Sequence, residues 1–236
     1  MLLYEFPTTA DIKALFAEEI ATAGGVVSDT FDDGARLFTR SVLPGLREVA
    51  KGDKVQGGVA LKATEEEVSV HPYVFRLVCK NGAIAAHAIQ SRQIGGEDFV
   101  ILEEFAGAVR AAVRACCSPE AFTANAEQMR SAREMQADLA LNLLPYLSRM
   151  SRPVMPQVFR SIMERFFGEP DRSAFALMNA VTSVARDSED AELRWRLEEL
   201  GGGICVGRRS TLGPGGRKVK LERGEVNTSR KLVGVG

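Results

Sequence analysis

Hydrophobic residues recur along this chain with two different periods, and the change of period divides it. Ile12, Leu15, Phe16 and Ile20 lie three or four positions apart, which places apolar side chains on one face of a helix. Thr8-Thr9-Ala10-Asp11 precedes them as an N-cap with an acid in the first turn. Gly24-Gly25 ends the helix, since glycine tolerates the backbone found past a C-terminus. From Val26 to about Ile94 the apolar runs are short: Val26-Val27, Leu37-Phe38-Thr39, Val59-Ala60-Leu61. Asp32-Asp33-Gly34, Pro44-Gly45 and Lys51-Gly52-Asp53 separate them with turn chemistry. Glu67-Val68-Ser69-Val70-His71 alternates as a half-buried strand does, and Tyr73–Cys79 continues it. Lys80-Asn81-Gly82 predicts the next turn, with Ala88–Ile94 as a return strand.

The helical period then returns. In Asp98–Cys117 the residues Leu102, Phe105, Val109, Ala112, Val113 and Cys116 form one stripe, with Glu103, Arg110 and Arg114 off it. Ser118-Pro119-Glu120 opens a long helix to about Leu144. Val158–Phe167, Asp171–Ala185 and Asp190–Leu200 follow, the last closed by Gly201-Gly202-Gly203. The expected fold is α+β. An N-terminal helix and a mostly antiparallel sheet fill residues 1–95. A helical half, residues 96–200, packs on them in one domain, and residues 201–236 form a basic, glycine-rich extension.

Composition adds limits. A chain of 236 residues with 45% hydrophobic and 26% charged residues suits a globular protein whose core needs no staples. Cys79, Cys116, Cys117 and Cys205 follow no disulfide-framework spacing, which fits a reducing, cytoplasmic setting. The longest apolar run, near Leu139–Leu147, is broken by Asn142 and Pro145 and falls short of the ~20 residues of a membrane span. No membrane partner is expected.

Charge sharpens this layout. The whole chain is at −1, but residues 1–200 carry 22 basic and 29 acidic groups, a net of −7, while residues 201–236 carry 8 and 2, a net of +6. That last segment also holds 10 of the 22 glycines. Within it, Arg217-Lys218-Val219-Lys220-Leu221-Glu222-Arg223 alternates charged and apolar residues. It reads equally as an edge strand and as an arm without a fold of its own.

Catalytic constellations are missing. The two histidines, His71 and His87, have no neighbouring Cys or His at metal-ligand spacing. Gly202-x4-Gly207 followed by Arg208-Arg209-Ser210 lacks the lysine of a phosphate loop and follows a helix instead of a strand. Adjacent acids such as Glu65-Glu66-Glu67 point apart and read as a solvated face. No cofactor and no small-molecule substrate are expected. Positive charge carries more: Arg76 and Lys80 flank a strand, and Arg92 approaches Arg76 if residues 72–94 form a hairpin. Arginine binds phosphate through two parallel hydrogen bonds, and Tyr73 on the same strand would stack on bases. The tail residues Arg208, Arg209, Arg217, Lys218 and Lys220 would hold the backbone. The competing reading pairs Arg76 with carboxylates of the body and docks the tail on that body or on a neighbouring subunit.

Two motifs add a resemblance. Tyr73-Val74-Phe75-Arg76-Leu77-Val78-Cys79-Lys80-Asn81-Gly82 resembles the Arg-Leu-Val-Cys-Thr-Asn-Gly segment of a phage- and plasmid-encoded family filed as domain of unknown function 932. Leu177–Arg186, with Asn179-Ala180 and Thr182, and then Leu197-Glu198-Glu199-Leu200-Gly201-Gly202, are similar to that family's C-terminal pattern. Arg92-Gln93-Ile94-Gly95 departs from it, with glutamine where relatives often carry histidine. The resemblance spans about residues 30–205 and implies a mobile-element setting without a known activity. The first expectation is therefore a non-enzymatic, homo-oligomeric protein that binds single-stranded nucleic acid and supports recombination or strand annealing. The alternative is a protein-interaction module, such as an inhibitor of a host defence system, or a structural assembly protein.

Overall fold

The computed structural model describes residues 7–99, 101–148 and 154–206. Helix α1 (Thr9–Thr22) begins at a capping box: the Thr8 hydroxyl accepts from the Asp11 N–H at 3.2 Å, and the Asp11 carboxylate accepts from the Thr8 N–H at 3.1 Å. Each satisfies an amide that the first helical turn leaves without a partner. Gly24, at φ +74°, turns the chain out of the helix.

Seven strands follow: β1 (Val26–Asp32), β2 (Leu37–Val42), β3 (Leu46–Ala50), β4 (Asp53–Ala63), β5 (Glu67–Arg76), β6 (Asn81–Ile84) and β7 (Arg92–Gly95). Every pairing is antiparallel, and the sheet runs β1-β2-β4-β5-β6. The long β4–β5 hairpin is its spine. On one flank β2 pairs with Ala60–Ala63 and β3 with the other end of β4. On the other flank β6 pairs with Tyr73–Arg76 and β7 with Glu67–Val70.

Side-chain alternation gives the sheet two apolar faces. Leu37, Val59, Leu61, Val68 and Val70 pack under Ile12, Phe16 and Ile20 of α1 and Phe105, Val109 and Val113 of α2 (Leu102–Cys116). On the opposite face Phe38, Ala60, Tyr73 and Ile84 meet Trp195 of α7 (Ala191–Cys205). The largest core joins Val49, Val55, Val74 and Ala83 to α3 (Pro119–Ala132), α4 (Leu139–Leu147), α5 (Met155–Gly168), α6 (Ala174–Arg186) and α7. Each large side chain so buried contributes about 1.5–3 kcal/mol. The α+β class is as expected. No helix among the described residues is long and apolar enough to cross a membrane.

Four departures from the sequence expectation shape the fold, besides shifts of about three residues at the starts of α5 and α6. The turn after β5 is Leu77–Lys80, with Lys80 at φ +50°, while Asn81 and Gly82 belong to β6. The long helix to Leu144 is broken after Ala132, because residues 133–138 lie against the start of α6: Ala137 N–H donates to Arg172 O and Ala174 N–H to Met135 O. The return strand is the shorter β7, paired farther down β5. Finally, α7 runs through all three glycines to Cys205. A Cβ on Gly201 would sit 2.4 Å from Thr182 Cγ2, and one on Gly202 would sit 2.1 Å from the Ile84 carbonyl oxygen. These glycines let α7 approach α6 and β6, so here glycine serves packing instead of termination.

Candidate nucleic-acid interface

The residues that carried the family resemblance meet at one junction. Asn81 on β6 donates from Nδ2 to Thr182 Oγ1 on α6 at 2.7 Å, and Thr182 Oγ1 in turn donates to Met178 O at 2.9 Å. Gly82 lies under the Tyr73 ring, whose hydroxyl would be 2.0 Å from an added Cβ. Gly201 and Gly202 complete the contact from α7. These side chains and glycines tie the sheet edge to the α6–α7 pair.

The expected hairpin site is divided by the register. Arg76 stands opposite Asn81, and Arg92 stands opposite Val70. Six positions along β5 amount to about 20 Å, so the two arginines do not share a ligand. Arg92 donates from Nη1 to the carbonyls of Ile89 and Ser91. Tyr73 is 3% exposed and packs with Phe38, Ile84 and Trp195, so its ring faces no base. Arg76 donates from Nε to both oxygens of Asp53, at 2.7 and 2.9 Å, and from Nη1 to Cys79 Sγ at 3.0 Å. Its guanidinium lies 5.2 Å from the Phe175 ring centre, and Arg133 lies 4.8 Å from the same centre. Lys80 is exposed in the turn. Arg208, Arg209, Arg217, Lys218 and Lys220 lie outside the described residues.

What the structure brings together instead is a cationic end of the sheet. Arg47 on β3 donates to Thr123 of α3 and covers the Phe122 ring. Arg130 of α3 donates to Glu48 O, and Arg133 faces Asp53 at 4.0 Å. Arg186 of α6 donates to Cys79 O at 2.6 Å. Lys51 and Lys54 are exposed at the β3–β4 turn, where Leu77 N–H donates to Lys54 O. Arg47, Lys51, Lys54, Arg76, Lys80, Arg130, Arg133 and Arg186 thus border two adjoining turns. Asp53 and Asp187 are ion-paired among them, the Glu48 carboxylate accepts from Gly52 N–H, Glu127 lies on α3 and Glu134 lies in the turn after it. The opposite end of the hairpin carries Asp32, Asp33, Glu65, Glu66 and Glu67, with Arg36 paired to Asp33. Leu37 pairs with Ala63, so the β1–β2 and β4–β5 turns share this end. The eleven-residue β4 separates the two ends by about 34 Å.

Between these ends lie two buried polar groups that sequence reasoning did not find. Arg40, 2% exposed, donates to Glu198 at 2.6 Å and to Asp29 at 3.1 Å, and lies 5.7 Å from the Trp195 ring centre. Arg194 bridges the same two carboxylates at 3.0 and 3.3 Å. Burial pushes the Glu198 carboxyl up, against the pull of both arginines. Beside it, His71 Nε2 lies 3.9 Å from Glu199 Oε1. Burial, with His87 nearby, lowers His71 to about 3, and burial raises Glu199 to about 7 despite a hydrogen bond from Trp195. His71 is therefore neutral and no metal ligand set surrounds it; among the described residues no cluster of three His, Cys, Asp or Glu is placed to hold a metal. The alternating Glu67–His71 pattern marked a strand face, but nothing in it named the helix that would cover the face.

Comparison with protein-family models, with curated proteins and with solved structures finds no match.

Proposed function

We propose that this protein binds nucleic acid by its phosphate backbone, using the cationic end of the sheet. The observation that supports the reading is the segregation of charge along the β4–β5 hairpin: a body at −7 presents one end where eight lysines and arginines border two turns. Cations gathered on one surface attract a polyanion and release its condensed counterions. Within this site Arg76 acts from below, since Asp53 holds its Nε, while Lys51, Lys54 and Lys80 face outward from the turns. Arg92 and Tyr73 have no part in it. Single-stranded nucleic acid is the proposed form, with the tail cations adding contacts and a homo-oligomer aligning several such ends along one strand. A mobile-element role in recombination or annealing is the setting that the motif resemblance suggests.

The test is a salt series with a labelled single-stranded oligonucleotide, comparing the full chain with Lys51→Gln/Lys54→Gln/Lys80→Gln. Each lost phosphate contact reduces the slope of log affinity against log salt by about 0.7, so the triple variant is expected to lose about 2 from the slope. Unchanged affinity and slope in that variant would refute the assignment of this end.

A further inference from the structure

The tip of the β5–β6 turn does not suit a purely electrostatic surface. Val78 is 62% exposed and Leu77 37% exposed, side by side on a four-residue turn. Exposed turns ordinarily carry Gly, Asn, Asp, Ser or Pro, and a β-branched valine gains nothing from this position. The turn also holds Lys80 at φ +50°, a left-handed conformation that few non-glycine residues adopt. Strained backbone of this kind persists where its surroundings hold it. Here they do. Leu77 N–H donates to Lys54 O, Arg76 Nη1 to Cys79 Sγ, and Arg186 Nη1 to Cys79 O at 2.6 Å. Three anchors from β4, β5 and α6 thus fix a rigid tip that points two aliphatic side chains outward. Lys54, Lys80 and Arg186 surround it.

We infer that the Leu77–Val78 tip is the base-contacting element of the nucleic-acid site, an inference that rests on the function proposed above. Of the aromatic rings near this end, Tyr73 and Phe175 are 3% and 2% exposed, Phe122 lies half-buried under Arg47, and Phe75 is half-buried against the Tyr73–Trp195 cluster. An aliphatic wedge is the alternative way to meet a base face, and leucine-type side chains do so where bases are unstacked. Cations around the tip take the phosphates on either side. In a duplex a base step must first be unstacked, at a cost of a few kcal/mol, so the wedge favours single strands or unpaired bases. It reads no donor or acceptor pattern, so its preference is for strandedness and not for sequence.

The experiment uses the full chain and the double variant Leu77→Ser/Val78→Ser, with a labelled single strand and a duplex of equal length across the same salt series. Thermal unfolding confirms that both proteins are equally folded. The expected result is a loss of about tenfold in single-strand affinity, equivalent to about 1.4 kcal/mol, with unchanged salt slope and unchanged duplex affinity. A second variant, Val78→Trp, reports directly: its emission is quenched by the single strand, while buried Trp195 stays unaffected. Normal single-strand affinity in the double variant, with the lysine variant still losing slope, overturns the wedge and leaves phosphate binding standing. Failure of the unaltered protein to bind any oligonucleotide overturns both. Binding of the unaltered protein to vesicles containing anionic phospholipid, abolished by the serine variant while oligonucleotide affinity stays normal, would assign the tip to a membrane surface and overturn the inference.

Discussion

Replacing Glu199 by glutamine should change the pH dependence of stability and leave the fold in place. Glu199 sits on α7 with its side chain 26% exposed, 3.9 Å from His71 Nε2 of β5. Burial raises it most; Glu192 adds to that, and Trp195, Lys62 and Arg196 work against it, leaving the carboxyl at about 7 against an ordinary 4.5. A group raised on folding stabilises fully below its unfolded pKa, and that stabilisation is lost as pH rises through the folded value. At about 1.4 kcal/mol for each pH unit between 4.5 and 7, the full loss comes to about 3.5 kcal/mol, most of it complete by pH 7.5. His71 acts in the opposite sense. Lowered from 6.5 to about 3 by burial and by His87, it makes stability rise with pH across that window, by about 5 kcal/mol. The two effects oppose one another from about pH 4.5 to 6.5, so the unaltered protein should be nearly flat there as far as this pair is concerned. Glu199→Gln removes one side of the balance. Its stability relative to the unaltered protein should be pH-independent below about pH 4.5, then climb by about 3 kcal/mol towards pH 7.5. Urea unfolding of both proteins at about pH 4.5, 6 and 7.5, with matched slopes, measures the difference. A constant offset at all three values would show that Glu199 titrates normally, and would refute its burial against His71.

Two further predictions concern packing. Gly202→Ala and Gly107→Ala make the same chemical change in two helices: an added Cβ meets the Ile84 carbonyl oxygen at 2.1 Å in the first and nothing within 4 Å in the second. The first should lower the melting temperature, overpacking costing about 1–3 kcal/mol, and the second should raise it through the ~1 kcal/mol helix preference of alanine over glycine; shifts of the same sign would contradict the close approach of α7 to β6. Glu198→Gln, which removes the buried negative charge 2.6 Å from Arg40 Nε, should destabilise by about 3–5 kcal/mol. The pair Arg40→Met/Glu198→Leu should recover much of that in chemical denaturation, and a double variant worse than either single would count against a buried ion pair.

The sequence by itself determined local elements wherever one rule acted without competition. The Thr8–Asp11 capping box, the Ser118-Pro119 helix start and the apolar stripe from Phe105 to Cys116 all stand where their residues put them, because caps and periodicity are satisfied within a few residues. The division between a strand-rich first half and a helical second half was legible for the same reason. Tertiary structure decided the places where a residue has two uses. Asn81-Gly82 has the chemistry of a turn, yet Thr182 captures the asparagine side chain and the Tyr73 ring needs the bare glycine, so the turn moves to Leu77–Lys80. Gly201-Gly202 has the chemistry of a helix end, yet contact with Thr182 and Ile84 keeps the helix going. The candidate site followed the same division. That Arg76 and Lys80 lie near a cationic surface was readable along the chain. That Arg92 stands about 20 Å away, that Tyr73 belongs to the core, and that Arg47, Arg130, Arg133 and Arg186 join the site depended on strand register and helix placement. Charge in a sequence is a sum over positions; only the folded β4–β5 hairpin turns it into two ends of opposite sign.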